Sequence, residues 1–146
     1  MTAVIDTCVL LDVLTNREPF FKNSYNVFLA ASYKKYIGFI TAKSVLDLYY
    51  MSYRTFHSDQ QTRNTINKIF PLFKLADTTA EDCRIAIYSQ TSDFEDAVMI
   101  ETAKRINADC IVTRNLRDYS VSPIPVFSPE DFLKMLDPGE QNADLS

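Results

Sequence analysis

Four aspartates stand at positions where a carboxylate could take part in chemistry. Asp6 follows the first apolar run of the chain directly, and Asp118 comes shortly after the apolar run Cys110–Val112. Asp96 lies in the first turn of a predicted helix, where the helix dipole favours an anion. Asp47 interrupts an almost wholly apolar helix start. A carboxylate among apolar residues is costly unless it is paired or holds a metal ion, so these four acids are the first candidates for a functional site.

Together, the acids point to a divalent cation. No nearby run of Lys or Arg supplies fixed partners to all of them, and converging carboxylates repel one another. All-oxygen ligands suit Mg²⁺ or Mn²⁺ rather than Zn²⁺. Such an ion supports chemistry on phosphate oxygens, because it lowers the pKa of an attacking water and neutralises charge on a phosphodiester. The remaining aspartates considered are expected to be solvated or to cap helices: Asp12, Asp59, Asp77, Asp82, Asp131 and Asp144.

The composition excludes several other kinds of site. The 146 residues include only two glycines, Gly38 and Gly139, so the chain has neither a P-loop nor a Rossmann fingerprint. The single histidine, His57, rules out a site with two His ligands. Three widely spaced cysteines form no C-x-x-C pair, which argues against structural zinc and favours free thiols in a reducing cytoplasm. We expect no signal peptide and no membrane span.

Short apolar runs alternate with amphipathic segments, and these are the elements that must position the acids. Strands are predicted at residues 3–5, 36–40, 72–75, 110–112 and 125–127. Helices are predicted at about 16–35, 42–56, 61–70 and 128–136, with two further helices starting near 78 and near 92. Ser92 and Glu95 have the spacing of a capping box. Continuous apolar strands indicate a sheet covered on both faces, so the fold class is an α/β sandwich with a mainly parallel sheet.

The four acids lie in four short motifs, which in chain order are residues 4–12 (VIDTCVLLD), 44–50 (SVLDLYY), 93–97 (DFEDA) and 111–119 (IVTRNLRDY). Together these motifs resemble the PIN-domain nucleases, the family that includes VapC-type toxins of bacterial toxin–antitoxin pairs. They occur in the order that the family has, and steps of 41, 49 and 22 residues lead from Asp6 through Asp47 and Asp96 to Asp118. The resemblance covers the chain from about Ala3 to Leu136. We expect a single domain over residues 1–136, followed by a polar, frayed tail at 137–146.

This resemblance implies a PIN-like three-layer α/β/α sandwich with a central, mainly parallel sheet of about five strands. It also implies a divalent-metal-dependent endoribonuclease, in which Mg²⁺ or Mn²⁺ in an acidic pocket activates the water that hydrolyses RNA phosphodiester bonds. The implied catalytic residues are Asp6, Asp47, Asp96 and Asp118, and the implied metal ligands are Asp6, Asp96 and Asp118.

Five further residues are expected near this site. Thr113, Asn115 and Asp93 are expected around the metal ligands, where Thr113 would hydrogen-bond a ligand or a metal-bound water. Arg114 and Arg117 flank the last motif and are candidates for contacts with the RNA backbone.

Two positions depart from the family pattern and keep a second hypothesis open. Asp47 stands where the family usually has Glu, and since it is one methylene shorter we expect it to reach the metal through water. Asn115 stands where many members have Asp, which lowers the negative charge of the site. The alternative is a PIN-like protein with weakened catalysis that acts as a binding or complex-forming module.

Two other phosphate-handling classes fit the sequence less well. A haloacid-dehalogenase-type site usually has D-x-D after the first strand, and here Cys8 stands at the third position. A receiver domain needs a Lys after a late strand, whereas Lys104 lies in a predicted helix before the strand.

The resemblance also implies partners: a small antitoxin protein whose tail enters the acidic pocket, and a second copy of the chain in a homodimer. A candidate dimer surface is the aromatic stripe of the first long helix, although this stripe equally fits a buried face. Its members are Phe20, Phe21, Tyr25, Phe28 and Tyr33. A net charge of −4 predicts weak, metal-dependent binding of RNA in the cytoplasm.

Overall fold

The structure is a computed structural model that describes residues 1–139. Five strands form one parallel sheet in the order β3-β2-β1-β4-β5. The strands are β1 (Thr2–Ile5), β2 (Ile37–Thr41), β3 (Lys74–Ala76), β4 (Cys110–Val112) and β5 (Val126–Phe127). Seven α-helices are described: α1 (Thr7–Leu14), α2 (Phe21–Ser32), α3 (Ala42–Phe56), α4 (Asp59–Asn67), α5 (Ala80–Ala86), α6 (Phe94–Arg105) and α7 (Pro129–Leu136). A short 3-10 helix, Leu116–Tyr119, follows β4. The predicted α/β class and the parallel five-stranded sheet are confirmed.

Helices cover both faces of the sheet. Successive side chains of a strand point to opposite faces, and along β1 Ile5 packs in a cluster with Leu10 of α1 and Phe132 of α7. Val4 packs in a second cluster with Ile100 of α6. Because both faces are buried, both sets of side chains must be apolar, which accounts for the uninterrupted apolar run of the strand.

Two predicted helices, α3 and α7, begin where expected, after a hydroxyl that caps them. Helix α3 begins at Ala42 because the Thr41 hydroxyl accepts a hydrogen bond from the Ser44 N–H, at 3.1 Å. Helix α7 begins at Pro129, and the hydroxyl of Ser128 caps it by accepting from the Asp131 N–H.

One predicted helix start and one predicted capping box are wrong. Helix α2 begins at Phe21 instead of near residue 16, because Asn16 adopts a left-handed backbone with φ of 55° and the chain leaves helical geometry there. Helix α6 is capped by the carboxylate of Asp93, which accepts from the Asp96 N–H at 3.1 Å, so the capping box expected for Ser92 and Glu95 does not form.

Two aspartates that were expected to be solvated or capping are buried. Asp12 has no exposed surface, and its carboxylate can be buried because it accepts hydrogen bonds from the Ser24 hydroxyl and the Arg114 guanidinium. Asp82 does cap α5, yet it is 2% exposed and pairs with Arg105. Burial alone would raise the pKa of Asp82, but its hydrogen bonds, that to Arg105 above all, hold this pKa below its usual value. Both cations come from distant parts of the chain, so local sequence gave no sign of them.

The last described residues lie beside the end of α2. The carboxylate of Asp137, the first residue of the expected polar tail, forms an exposed ion pair with Lys35 at 2.5 Å. The rest of that expected tail, residues 140–146, lies outside the described residues. Among the helices that the structure describes, none has the length and apolar character needed to cross a membrane.

Candidate active site

The site lies at the carboxyl ends of β1 and β4, where the order of the strands reverses. β1 pairs with β2 on one side and with β4 on the other, and Ile5 is in register with Val112. The N–H of Asp6 donates to the Val112 carbonyl at 2.9 Å, which places the first residue after β1 beside Thr113, the first after β4. This is the position at which parallel α/β sheets bind their ligands.

Asp6 is the most deeply buried acid of the site, with 6% of its surface exposed. Its carboxylate caps α1 by accepting from the Thr7 N–H at 2.7 Å, and it accepts from the Thr113 hydroxyl at 2.7 Å. The thiol of Cys8 lies 3.6 Å from the same carboxylate. Burial raises the pKa of Asp6, although the hydrogen bonds from Thr113, Thr7 and Cys8 oppose that rise. The carboxylate is thus fixed in orientation while it remains costly to ionise.

Asp96 shows most directly that the acids lie close together. Burial, together with the charges of Asp6, Asp93 and Asp118, raises the pKa of its carboxyl to about 7. The Tyr119 hydroxyl donates to the Asp96 carboxylate at 3.0 Å and partly opposes this shift. Tyr119 is 2% exposed and had no expected role, although it lies in the last predicted motif. Its side chain orients the carboxylate much as Thr113 orients that of Asp6.

Asp47 reaches the same cleft but has a cationic partner, which the sequence analysis did not assign. Lys43, one helical turn earlier on α3, donates to the Asp47 carboxylate at 2.5 Å and also pairs with Glu95 of α6 at 3.1 Å. Burial disfavours the charged amine, yet these two carboxylates hold the pKa of Lys43 above its usual value. The spacing of Lys43 and Asp47 is that of a helical ion pair, a signal that was present in the sequence.

The segment after β4 carries the remaining predicted residues. The N–H of Asn115 donates to the Thr113 hydroxyl at 3.0 Å, and the 3-10 helix that follows Asn115 brings Asp118 to the cleft. The guanidinium of Arg114 binds both oxygens of Asp12, at 2.7 and 2.9 Å. Arg117 is exposed and is not among the residues that line the cleft.

The cleft has a volume of about 470 Å³ and is strongly acidic. Six carboxylates line it: Asp6, Asp47, Asp93, Glu95, Asp96 and Asp118. Within the described residues, three cationic side chains line it as well: Arg17, Lys43 and Arg114. Nothing in the sequence analysis singled out Arg17, since its place at the cleft depends on the path of the loop before α2. All the acids predicted for the site are therefore in one cleft.

The carboxylate oxygens of the cleft are suitable ligands for a hard cation, although the carboxylates lie apart from one another. Among residues 1–139, no three His, Cys, Asp or Glu side chains lie close enough together to hold a metal ion by themselves. Mg²⁺ commonly takes one or two carboxylates and keeps several waters, and the surplus of carboxylate oxygens over cations suits that mode of binding. Burial is the largest cause of the raised pKa of Asp96, and the charges of Asp6, Asp93 and Asp118 add to it, so a bound cation would offset part of the cost of ionising this carboxyl.

Comparisons with solved structures show the fold that this chain shares. The chain superposes on VapBC2 from Rickettsia felis, bound to a DNA fragment from their promoter, with a TM-score of 0.63 and 16% identity over 88% of this chain and 98% of that one. A toxin–antitoxin complex from Klebsiella pneumoniae gives a TM-score of 0.62 and 19% identity over 87% and 97%. FitAcB from Neisseria gonorrhoeae gives a TM-score of 0.65 and 15% identity over 88% of this chain and 98% of that one.

At the level of sequence, no curated protein matches the chain. The family described as "PIN domain" matches residues 2–117, which span β1 to β4 and therefore include Asp6, Asp47, Asp96 and Asn115. The chain belongs to the PIN-domain family.

Proposed function

We propose that the protein is a divalent-metal-dependent endoribonuclease that hydrolyses RNA phosphodiester bonds. The observation that carries this proposal is the convergence of Asp6, Asp96 and Asp118 in one cleft, where burial, and after it the charges of the neighbouring acids, raises the pKa of Asp96 to about 7. A cleft of this charge repels a phosphodiester unless a cation is bound first. The function therefore requires Mg²⁺ or Mn²⁺, and PIN-domain proteins generally use divalent ions.

The residues that would hold the ion are Asp6, Asp96 and Asp118, with Asp47 acting through water because of its shorter side chain. When bound, the ion supplies the positive charge that activates a water for attack on phosphorus and offsets the charge of the phosphodiester. No histidine or reactive thiol is needed. Cys8, the thiol beside Asp6, has its pKa raised to about 11 by burial and by the charge of Asp6, so it stays protonated at neutral pH.

The chain's own groups keep this cleft ordered. Thr113 and Tyr119 donate to Asp6 and Asp96 respectively and so fix the direction of each carboxylate. Asp93 caps α6 and adds negative charge near Asp96. Asn115 donates its N–H to Thr113, which orients the hydroxyl that serves Asp6.

We further propose that the protein is the toxin of a toxin–antitoxin pair in the cytoplasm. Three of the structural neighbours are a VapBC protein, a toxin–antitoxin complex and a FitAB complex, which supports a small antitoxin partner. The test is expression of the chain alone and with the product of a short adjacent reading frame. Growth arrest that the second protein relieves supports the pairing, and unaffected growth in both cases contradicts it.

We also propose a homodimer, which the family resemblance implies, and α2 with its flanking residues offers a surface for it. Tyr33 is 72% exposed and Tyr25 is 42% exposed, and Phe20, just before the helix, is 40% exposed. Phe28 is 6% exposed and belongs to the core, so only part of the predicted aromatic stripe is available. Sedimentation at micromolar concentration should give a dimer, and a monomer would contradict the proposal.

The nuclease activity is tested with purified protein and single-stranded RNA, with Mn²⁺ or Mg²⁺, and with chelator as the control. We expect cleavage that stops on chelation. We also expect an RNA with 2′-deoxy nucleotides at the cleaved positions to be cut at a similar rate, because the attacking group is water and not the 2′-hydroxyl. Loss of cleavage with that substrate would overturn the proposed mechanism.

Two observations favour the binding-module alternative, in which the protein keeps the fold but has weakened catalysis. The Lys43 amine forms an ion pair with the Asp47 carboxylate, and the Asn115 side chain carries no charge. A protein that binds RNA or a partner but cleaves no RNA with either metal would establish this alternative.

A further inference from the structure

The loop between α1 and α2 forms one rim of the acidic cleft and carries an arginine there. Asn16 turns the chain with its left-handed backbone, and the N–H of Arg17 donates to the Asp12 carbonyl at 2.9 Å. This hydrogen bond anchors the loop to the last turn of α1. The Arg17 side chain then lines the cleft from an exposed position, so it is open both to solvent and to whatever enters the cleft.

Of the three cations at the cleft, two are already engaged by carboxylates. Lys43 pairs with Asp47 and Glu95, and the guanidinium of Arg114 holds both oxygens of the buried Asp12. In the described part of the chain, the Arg17 guanidinium has no ion-pair or hydrogen-bond partner. Within residues 1–139, Arg17 is therefore a cation at the rim of the cleft whose guanidinium is open to a ligand that enters it.

We infer that Arg17 is a substrate-binding residue that contacts a phosphate of the RNA strand beside the cleaved bond. This inference rests on the proposed nuclease function. A phosphodiester that enters the cleft brings negative charge to a region where the carboxylates already repel it, and five directed N–H donors make a free guanidinium a suitable partner for phosphate. Arg114 is a less suitable phosphate ligand, because the buried Asp12 carboxylate neutralises its charge and fixes the position of its guanidinium.

The experiment compares steady-state cleavage of single-stranded RNA by the wild type, Arg17→Gln, Arg17→Lys and the control Arg84→Gln. Arg84 is an exposed arginine of α5 that is paired with Glu81 and does not line the cleft. We expect Arg17→Gln to raise KM about five- to tenfold, as one phosphate contact of about 1 kcal/mol predicts, with little change in kcat. Arg17→Lys keeps the charge but not the planar set of donors, so it should recover only part of the loss.

A second readout separates a phosphate contact from a structural effect. The slope of log(kcat/KM) against log salt should become shallower by about 0.7 in Arg17→Gln, the value for one phosphate of a single strand. The control should keep the wild-type KM and slope. An active wild type whose KM and salt slope are unchanged by Arg17→Gln overturns this inference alone. A wild type that cleaves no RNA overturns the proposed function, and the inference with it.

Discussion

At the scale of single residues, the acids of the cleft are held at a cost in stability. The carboxyl of Asp96 has a pKa of about 7 in the folded protein against 3.8 for the free group, because burial and the charges of Asp6, Asp93 and Asp118 disfavour its ionised form. A raised folded-state pKa gives stability that is fully present below the unfolded pKa and is lost as the pH rises through the folded pKa. The metal-free protein should therefore lose stability between about pH 4 and pH 8.

Asp96→Asn removes this cost and keeps an oxygen that can accept from Tyr119. In the presence of chelator, we expect the variant to be more stable than the wild type at pH 8, by on the order of 2 kcal/mol after allowance for partial exposure. The gain should shrink toward zero near pH 4, where the wild-type carboxyl is protonated in both states. Urea denaturation at several pH values measures this difference.

The matched control is Asp131→Asn, which changes an exposed acid of α7. It should show no such pH-dependent gain. A difference between Asp96→Asn and the wild type that is the same at pH 4 and pH 8 would contradict the assigned pKa.

The ion pair of Asp12 and Arg114 gives a second prediction at this scale. Arg114→Met leaves the fully buried Asp12 carboxylate without its cation, and we expect a loss of about 3–5 kcal/mol in the free energy of unfolding. Arg84→Met breaks an exposed pair on α5 and should leave the free energy of unfolding almost unchanged. Chemical denaturation of both variants tests this, and equal losses would show that burial does not set the strength of the pair.

The acids of the cleft could be predicted from the sequence, whereas most of their hydrogen-bond and ion-pair partners could not. Asp6 was recognisable because it directly follows an apolar run, and Asp96 because it lies in the first turn of a predicted helix. Tyr119 and Arg114 could not be assigned to Asp96 and Asp12, because residues 23 and 102 positions apart meet only through the fold. Lys43 was visible at helical spacing from Asp47 but was not used.

At the scale of elements, α3 and α6 are joined across the cleft by Lys43. Its amine contacts Asp47 on its own helix and Glu95 at the start of α6. Lys43→Met should free Asp47 and make the cleft more negative. We therefore expect divalent ions to bind about three- to tenfold more tightly, since each 1.4 kcal/mol changes affinity tenfold. Titration calorimetry with Mn²⁺ measures the affinity.

Lys134→Met is the control for that titration. Lys134 also pairs with a carboxylate one helical turn away, Glu130, but it lies on α7 outside the cleft. Its loss should leave Mn²⁺ affinity unchanged. Weaker Mn²⁺ binding in Lys43→Met would show that the lysine organises the cleft for the ion.

Hydroxyl caps marked some helix starts and not others, since α4 begins at Asp59 after the Ser58 cap and not at the predicted residue 61. Thr41 and Ser128 fixed the starts of α3 and α7 correctly. For α2 the presence of Pro19 suggested a start near residue 16, but the N-cap residue Phe20 makes no side-chain capping bond, so the sequence held no local marker of the true start.

At the scale of the whole molecule, strand order gathers acids from four distant segments. β1 lies between β2 and β4, so the segments that follow these strands meet at the same edge of the sheet. The fold class and the parallel pairing of the strands could be predicted from the sequence, because short apolar runs alternate with predicted helices. The order of the strands was not predicted, because periodicity does not say which strands are neighbours.

This arrangement also accounts for the charge of the protein. Six acids against three cations line the cleft, so much of the net charge of −4 is concentrated where the ion is proposed to bind. A metal-loaded cleft presents far less negative charge to RNA than the free one does.

The central claim is that these acids, through a divalent ion, cleave RNA. The most direct test measures cleavage of single-stranded RNA in Mn²⁺ by the wild type, Asp6→Asn, Asp96→Asn and the control Asp131→Asn, with all four shown to be folded. We expect the two cleft variants to lose at least about a hundredfold in rate, on the scale of a catalytic electrostatic contact, while Asp131→Asn keeps the wild-type rate. Cleavage that survives both cleft substitutions would contradict the account.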